Sequence, residues 1–168
     1  ADVLPGEEGG VAETEREGGL LYGLKAALTE QDEWLPQSAL IVQATTPTSG
    51  PDPATQFTAA YVWGWTLPNT WLLDAAVRYG ANSEKHDHFT TWAPSVVLKV
   101  PMHERWNVHA EYFGLFTQDR ADERAAQYFS PGIHYLVTPD CEIGVRVGWG
   151  LTQDAANFFS NVGLGVRF

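Results

Sequence analysis

The stretch Cys141-Glu-Ile-Gly-Val-Arg-Val-Gly-Trp-Gly-Leu151 alternates without a break. Cys141, Ile143, Val145, Val147, Trp149 and Leu151 are apolar, while Glu142, Gly144, Arg146, Gly148 and Gly150 are polar or tiny. Strict alternation over this length means a β-strand with two chemically different faces. The chain's last stretch repeats it, with Val162, Leu164, Val166 and Phe168 set against Asn161, Gly163, Gly165 and Arg167.

Working towards the N-terminus, the same period returns. Phe129, Ile133, Tyr135 and Val137 oppose Ser130, Gly132 and His134. Trp106, Val108, Ala110 and Tyr112 oppose Asn107, His109 and Glu111. Trp92, Val96, Leu98 and Val100 oppose Ser95 and Lys99, and Leu73, Ala75, Val77 and Tyr79 oppose Asp74, Ala76, Arg78 and Gly80. Earlier runs start near Phe57, Leu40 and Leu20. The pattern predicts an all-β chain of about nine antiparallel strands, each near the ~9–11 residues of a tilted membrane strand. The segment 118–127 is charged, lacks an apolar face and reads as a loop with at most one helical turn.

Composition narrows the classes. The 168 residues hold 10 Lys plus Arg against 21 Asp plus Glu, a net charge of −11. That excess argues against nucleic acid, which needs a basic face. Only 18% of residues are charged, below the ~25% of soluble domains. No apolar run approaches the ~20 residues of a membrane helix. Mean hydropathy is −0.21, which leaves a membrane β-barrel open, since its strands are only half apolar. A single cysteine, Cys141, excludes an internal disulfide framework, and on the apolar face it reads as an inert thiol. Residues 1–19 read as an acidic, Gly-rich loop or extension and 20–168 as the barrel strands.

Which face points inward decides the class. The non-apolar face is rich in Gly and Ala, and it carries single charges of both signs in mid-strand. Both suit the crowded interior of a narrow barrel. Lys25, Asp74, Arg78, Lys99, His109, Glu111, Glu142, Arg146 and Arg167 are therefore the expected lumen-lining residues. Tryptophans near the strand ends, such as Trp65, Trp71, Trp106, Trp92 and Trp149, suit membrane interfaces. Connections are expected to be short on one rim (Pro68-Asn69, Pro101 to Glu104, Pro139-Asp140). They are expected to be long on the other (Pro47 to Gln56, Ala81 to His88, Thr117 to Ala126, Thr152 to Asn157). The Thr29 to Pro36 connection is longer than its rim predicts.

The C-terminal run from Gln127 to Phe168 resembles the end of outer-membrane transporters linked to the meta pathway of phenol degradation. Further matches are Gly23-Leu24-Lys25, Trp34-Leu35-Pro36 through Gly50, and Glu104 to Tyr112. The resemblance implies a bacterial outer-membrane barrel in a Gram-negative cell, passing small and even aromatic solutes. Phe168 is similar to the terminal aromatic that such barrels present to the barrel assembly machinery. The implied partners are outer-membrane lipid, that machinery and a small-molecule solute, with an oligomer or protein complex left open. Family members usually carry more strands upstream. Nine strands ending in the periplasm would also start outside, so the chain is expected to be the C-terminal part of a barrel of about twelve strands.

Other chemistry was weighed by residue type. His86-Asp87-His88 has two imidazoles flanking a carboxylate, so His86 and His88 are candidate metal ligands. His109, Glu111 and His134 share the polar face, with Ser95 and Ser130 as loosely placed nucleophiles for a lipid hydrolase. No phosphate loop or cofactor motif is present in the sequence. The expectation is a non-enzymatic, porin-like channel or transporter without cofactor. The alternatives are a barrel acting as a non-transporting scaffold, and a soluble β-sandwich or lipocalin-like binder.

Overall fold

A computed structural model describes residues 18–49, 54–84, 87–119 and 123–167. These form nine strands in chain order. They are β1 (Gly18–Thr29), β2 (Gln37–Ser49), β3 (Gln56–Thr66), β4 (Leu72–Glu84), β5 (Asp87–His103), β6 (Trp106–Gln118), β7 (Arg124–Thr138), β8 (Cys141–Gly150) and β9 (Phe158–Val166). Every neighbour pairs antiparallel in one sheet ordered β1 through β9. Among the described residues there is no second sheet to make a sandwich.

The sheet is open. Among the described residues β1 pairs only with β2, and β9 only with β8. In an antiparallel order the first and ninth strands run in the same direction.

The register sorts side chains cleanly. Lys25 stands opposite Ile41, Ile41 opposite Ala60, and Ala60 opposite Arg78. A second row runs from Lys99 through His109 and Gly132 to Arg146 and Asn161. Between these rows lies Asp74, opposite Gly64 and Val97, with Glu111 opposite Val97 and Ser130. Because side chains alternate strictly, all of these share one face.

The other face is apolar and uncovered. Leu24 is 82% exposed, Val162 78%, Val145 43% and Val96 39%. The buried residues are small: Ala39, Ala44, Ala60, Ser38 and Ser130 among them. A soluble monomer rarely exposes an apolar patch beyond a few hundred Å². Here the apolar face of a nine-stranded sheet is uncovered; of the buried residues Ala39, Ala60 and Ser130 have the parity of the polar face, and Ser38 and Ala44 that of the apolar one.

Aromatics edge this apolar face. Trp106 packs on Tyr135 (centroids 4.5 Å) near one rim. Tyr79 packs on Trp92 (4.8 Å) and Trp149 on Phe158 (6.1 Å) near the other. Phe57 and Trp65 bracket β3, about 27 Å apart at ~3.4 Å per residue. That is close to the ~25 Å apolar band of a membrane barrel once strand tilt is allowed for.

The rims depart from expectation. Strands β4 and β5 are separated only by residues 85–86, and β7 begins at Arg124. The segment 118–127, read as a loop, therefore gives half its length to strands, and no helix occurs among the described residues. The contrast of long and short rims is correspondingly weak. Alternation fades near strand ends, where both faces meet polar surroundings, so sequence pattern under-reads strand length.

The long β1–β2 connection is tied down. The Gln31 side chain donates to the Thr66 carbonyl at 3.0 Å and accepts from the Thr66 amide at 2.7 Å, mimicking one more strand pair. Trp65 Nε1 donates to the Trp34 carbonyl at 3.0 Å. Asp32 and Leu35 exchange backbone hydrogen bonds across a tight turn.

The β3–β4 turn holds a residue in an unfavourable conformation. The Thr70 amide donates to the Leu67 carbonyl, closing a turn with Pro68 at its second position. Thr70 itself has φ 61°. This is the left-handed site that glycine normally takes in such hairpin loops, and a β-branched residue there is strained. Thr70→Gly is expected to raise stability by about 0.5–1 kcal/mol, relieved strain exceeding the added chain entropy. A higher midpoint in urea unfolding would show it.

Candidate functional site

The polar face has three layers across β6–β9. Nearest the β7–β8 turn is a relay. His134 Nδ1 lies 2.7 Å from Glu142 Oε1, and His134 Nε2 lies 3.0 Å from His109 Nδ1. Glu142 as a carboxylate only accepts, so His134 Nδ1 carries the proton. With His134 neutral, its Nε2 then accepts from His109 Nδ1–H, and His109 Nε2 is the free end.

The middle layer is an ion pair. Arg146 Nη1 donates to Glu111 Oε2 at 2.9 Å, spanning β8 to β6 across β7. With the Asn161 amide turned to suit its neighbours, its oxygen accepts from Arg146 Nε at 3.2 Å. The guanidinium also sits 5.6 Å from the Phe159 ring centroid.

The third layer is aromatic. Phe113 stacks on Tyr128 (4.9 Å), and both meet Phe159 edge-on, at 6.0 and 5.8 Å. Phe113 and Phe159 belong to strands three spacings apart, about 14 Å on a flat sheet. The Phe159 ring closes that gap by lying flat across Gly148 of β8, over the position a side chain there would take.

Glycines make room for the layers. A Cβ on Gly132 would overlap the His109 ring, one on Gly144 the His134 ring, and one on Gly64 the Asp74 carboxylate. Each long polar side chain lies flat across a neighbouring strand that has no side chain there.

The expected lumen-lining residues are thus brought to one face. His109, Glu111, Glu142 and Arg146, joined by His134, form a connected network. Lys25, Asp74, Arg78 and Lys99 share the face but enter no hydrogen bond or ion pair among the described residues. Arg167 follows the end of β9 in the same alternation, and its amide donates to the Asp140 carbonyl. Two open hollows lie along the face. One, of about 570 Å³, is lined by Lys25, Ser38, Gly64, Asp74 and Ser95 among others. The other, about 480 Å³, is lined by His109, His134, Arg146 and Asn161 among others.

The remaining candidates fare differently. Ser130 is fully buried and its hydroxyl donates to the Val147 carbonyl at 2.8 Å, so it is not presented to either histidine. No hydrogen bond joins Ser95 to His109 or His134. His88, expected in a loop, lies in β5 opposite Ser83 with its side chain exposed. His86 and Phe168 lie outside the described residues. Among the described residues no group of three or more His, Cys, Asp or Glu is placed to hold a metal.

The aromatic layer was missed at the sequence level. The signal was present: Phe113 has the parity of His109 and Glu111, Tyr128 that of Ser130, and Phe159 that of Asn161. Reading aromatics as outward by default hid it.

The architecture and the resemblance meet in one comparison. Residues 6–168 match the model of the family described as "Putative MetA-pathway of phenol degradation". The chain belongs to that family. A search of curated proteins returns no match. The phenol-degradation family match spans all nine strands, so the polar face just described lies wholly inside the family's own region.

Proposed function

We propose that this chain forms the wall of an outer-membrane β-barrel acting as a porin-like channel or transporter for small solutes. The observation that carries the reading is the two-faced sheet: an exposed apolar face with aromatic edges, and a polar face lined by small and charged residues. A lipid environment makes that distribution favourable, because apolar area left in water forfeits about 25 cal/mol per Å². In this reading lipid covers the outer face and solute meets the inner one. The family's link to phenol degradation and the Phe113, Tyr128 and Phe159 rings on the polar face favour small molecules with an aromatic or other apolar part.

A second reading has its own observation. The Arg146–Glu111 pair and the His109–His134–Glu142 relay tie three strands together over the polar face. A barrel closed by such pairing would serve as a non-transporting scaffold. The test is conductance of the purified protein in planar bilayers, after heat-modifiable gel mobility has established a barrel. Discrete channel steps are expected. A heat-modifiable protein that never conducts would leave the scaffold, and a protein without heat-modifiable mobility would overturn both.

A further inference from the structure

Resting on the reading of the polar face as a lumen, we propose that its β1–β5 half is an anion path, so that the favoured solutes carry negative charge. The two halves of the face differ in how their charges are answered. On β6–β9 each carboxylate is held: Glu111 pairs with Arg146 at 2.9 Å, and Glu142 accepts a hydrogen bond from His134 at 2.7 Å. On β1–β5 the mid-strand charges are Lys25, Arg78 and Lys99 against Asp74, and none is in an ion pair among the described residues. Three mid-strand cations thus stand against one mid-strand carboxylate, Asp74, which Lys99 attracts without pairing, while Glu30 and the strand-end residues Glu84 and Asp87 lie towards the rims.

Their placement is spread rather than clustered. Lys25 and Arg78 lie in one row, separated by Ile41 and Ala60. Lys99 lies in the row nearer the β5–β6 turn. The residues between them include Ala27, Ala39, Gly64, Ala76 and Ser95, small enough to leave an open hollow of about 570 Å³ beside Lys25, Asp74 and, at its rim, Glu30. Phe89, near the start of β5, has the parity of this face, and the small residues further along leave a hydrated anion room.

The acid excess of the whole chain does not decide selectivity. Those acids sit chiefly in loops and in the N-terminal segment, where salt screens them beyond about 3 Å at 1 M. Fixed charges along a narrow, low-dielectric wall focus their field on the path and are screened less. Anion preference should accordingly be clearest at high salt.

The experiment is the reversal potential of the purified protein in a planar bilayer under a tenfold KCl gradient, with the concentrated side at 1 M. Expected is chloride favoured over potassium by about threefold or more. Replacing Lys25, Arg78 and Lys99 together by Gln should bring the ratio to one or below, with heat-modifiable mobility kept as proof of folding. A potassium-selective parent, or a ratio unmoved in a folded triple variant, overturns the anion path and leaves the channel reading intact. A folded parent that carries no current overturns the channel reading itself, and the anion path with it.

Discussion

Val96→Arg is expected to lower the stability of the protein in a bilayer by about 2–4 kcal/mol, the cost of a cation at the lipid-facing midplane of a barrel. Val96 sits midway along β5 on the apolar face, opposite Ala75 on one side and Tyr112 on the other. It is 39% exposed, with nothing packed over it. On a water-solvated sheet the same substitution would fall within about 0.5 kcal/mol, since exposed positions away from special features are tolerant. The two environments therefore predict effects several-fold apart. Urea titration of folding into phospholipid vesicles, read by tryptophan fluorescence, separates them, with Val96→Leu as the neutral comparison. An unchanged unfolding free energy for the Arg variant would sink the lipid-facing assignment.

That prediction draws on the part of the fold that was legible in the sequence. Period-2 alternation needs no partner to be seen, because each residue's face follows from its parity alone. Lys25, Asp74, Arg78, Lys99, His109, Glu111, Glu142 and Arg146 were all placed on one face by counting, and the register puts them there. The number of strands was legible for the same reason. Strand ends were not. At Glu84, Asp87 and Arg124 the pairing continues through residues polar enough to read as loop. Backbone hydrogen bonds, which no side-chain pattern records, carry those last residues.

The contacts between strands were less legible still. Nothing in the sequence says that Gln31 reaches Thr66, thirty-five positions on, to act as a surrogate strand residue. Nor does it say that His134 takes Glu142 on one nitrogen and His109 on the other. Such pairings depend on stagger between strands and on which neighbour is glycine. Gly132 and Gly144 illustrate the point: in sequence they are small residues on a polar face, while in space they are the floor on which two imidazoles lie.

Arg146 is where this dependence on neighbours should be most costly to disturb. Its guanidinium crosses β7 to Glu111 above Ser130 and Gly132, the two residues of that strand opposite the pair. A larger side chain at either would block the crossing. Arg146→Glu would set a second carboxylate against Glu111 and remove the contact with the Phe159 ring. Both partners are partly exposed, with side-chain accessibilities of 37% and 23%, so the effect falls below the 3–5 kcal/mol of a fully buried broken pair; about 2 kcal/mol is expected. Glu111→Arg combined with Arg146→Glu restores opposite charge at the same two positions. It should recover most of the loss, with a coupling energy of about 1–2 kcal/mol in the double-mutant cycle. Recovery would show that the two groups act through each other. If the double variant is as unstable as the sum of the singles, Arg146 acts instead through Asn161 and Phe159. The bridge across β7 would then be a crossing of side chains without mutual stabilisation.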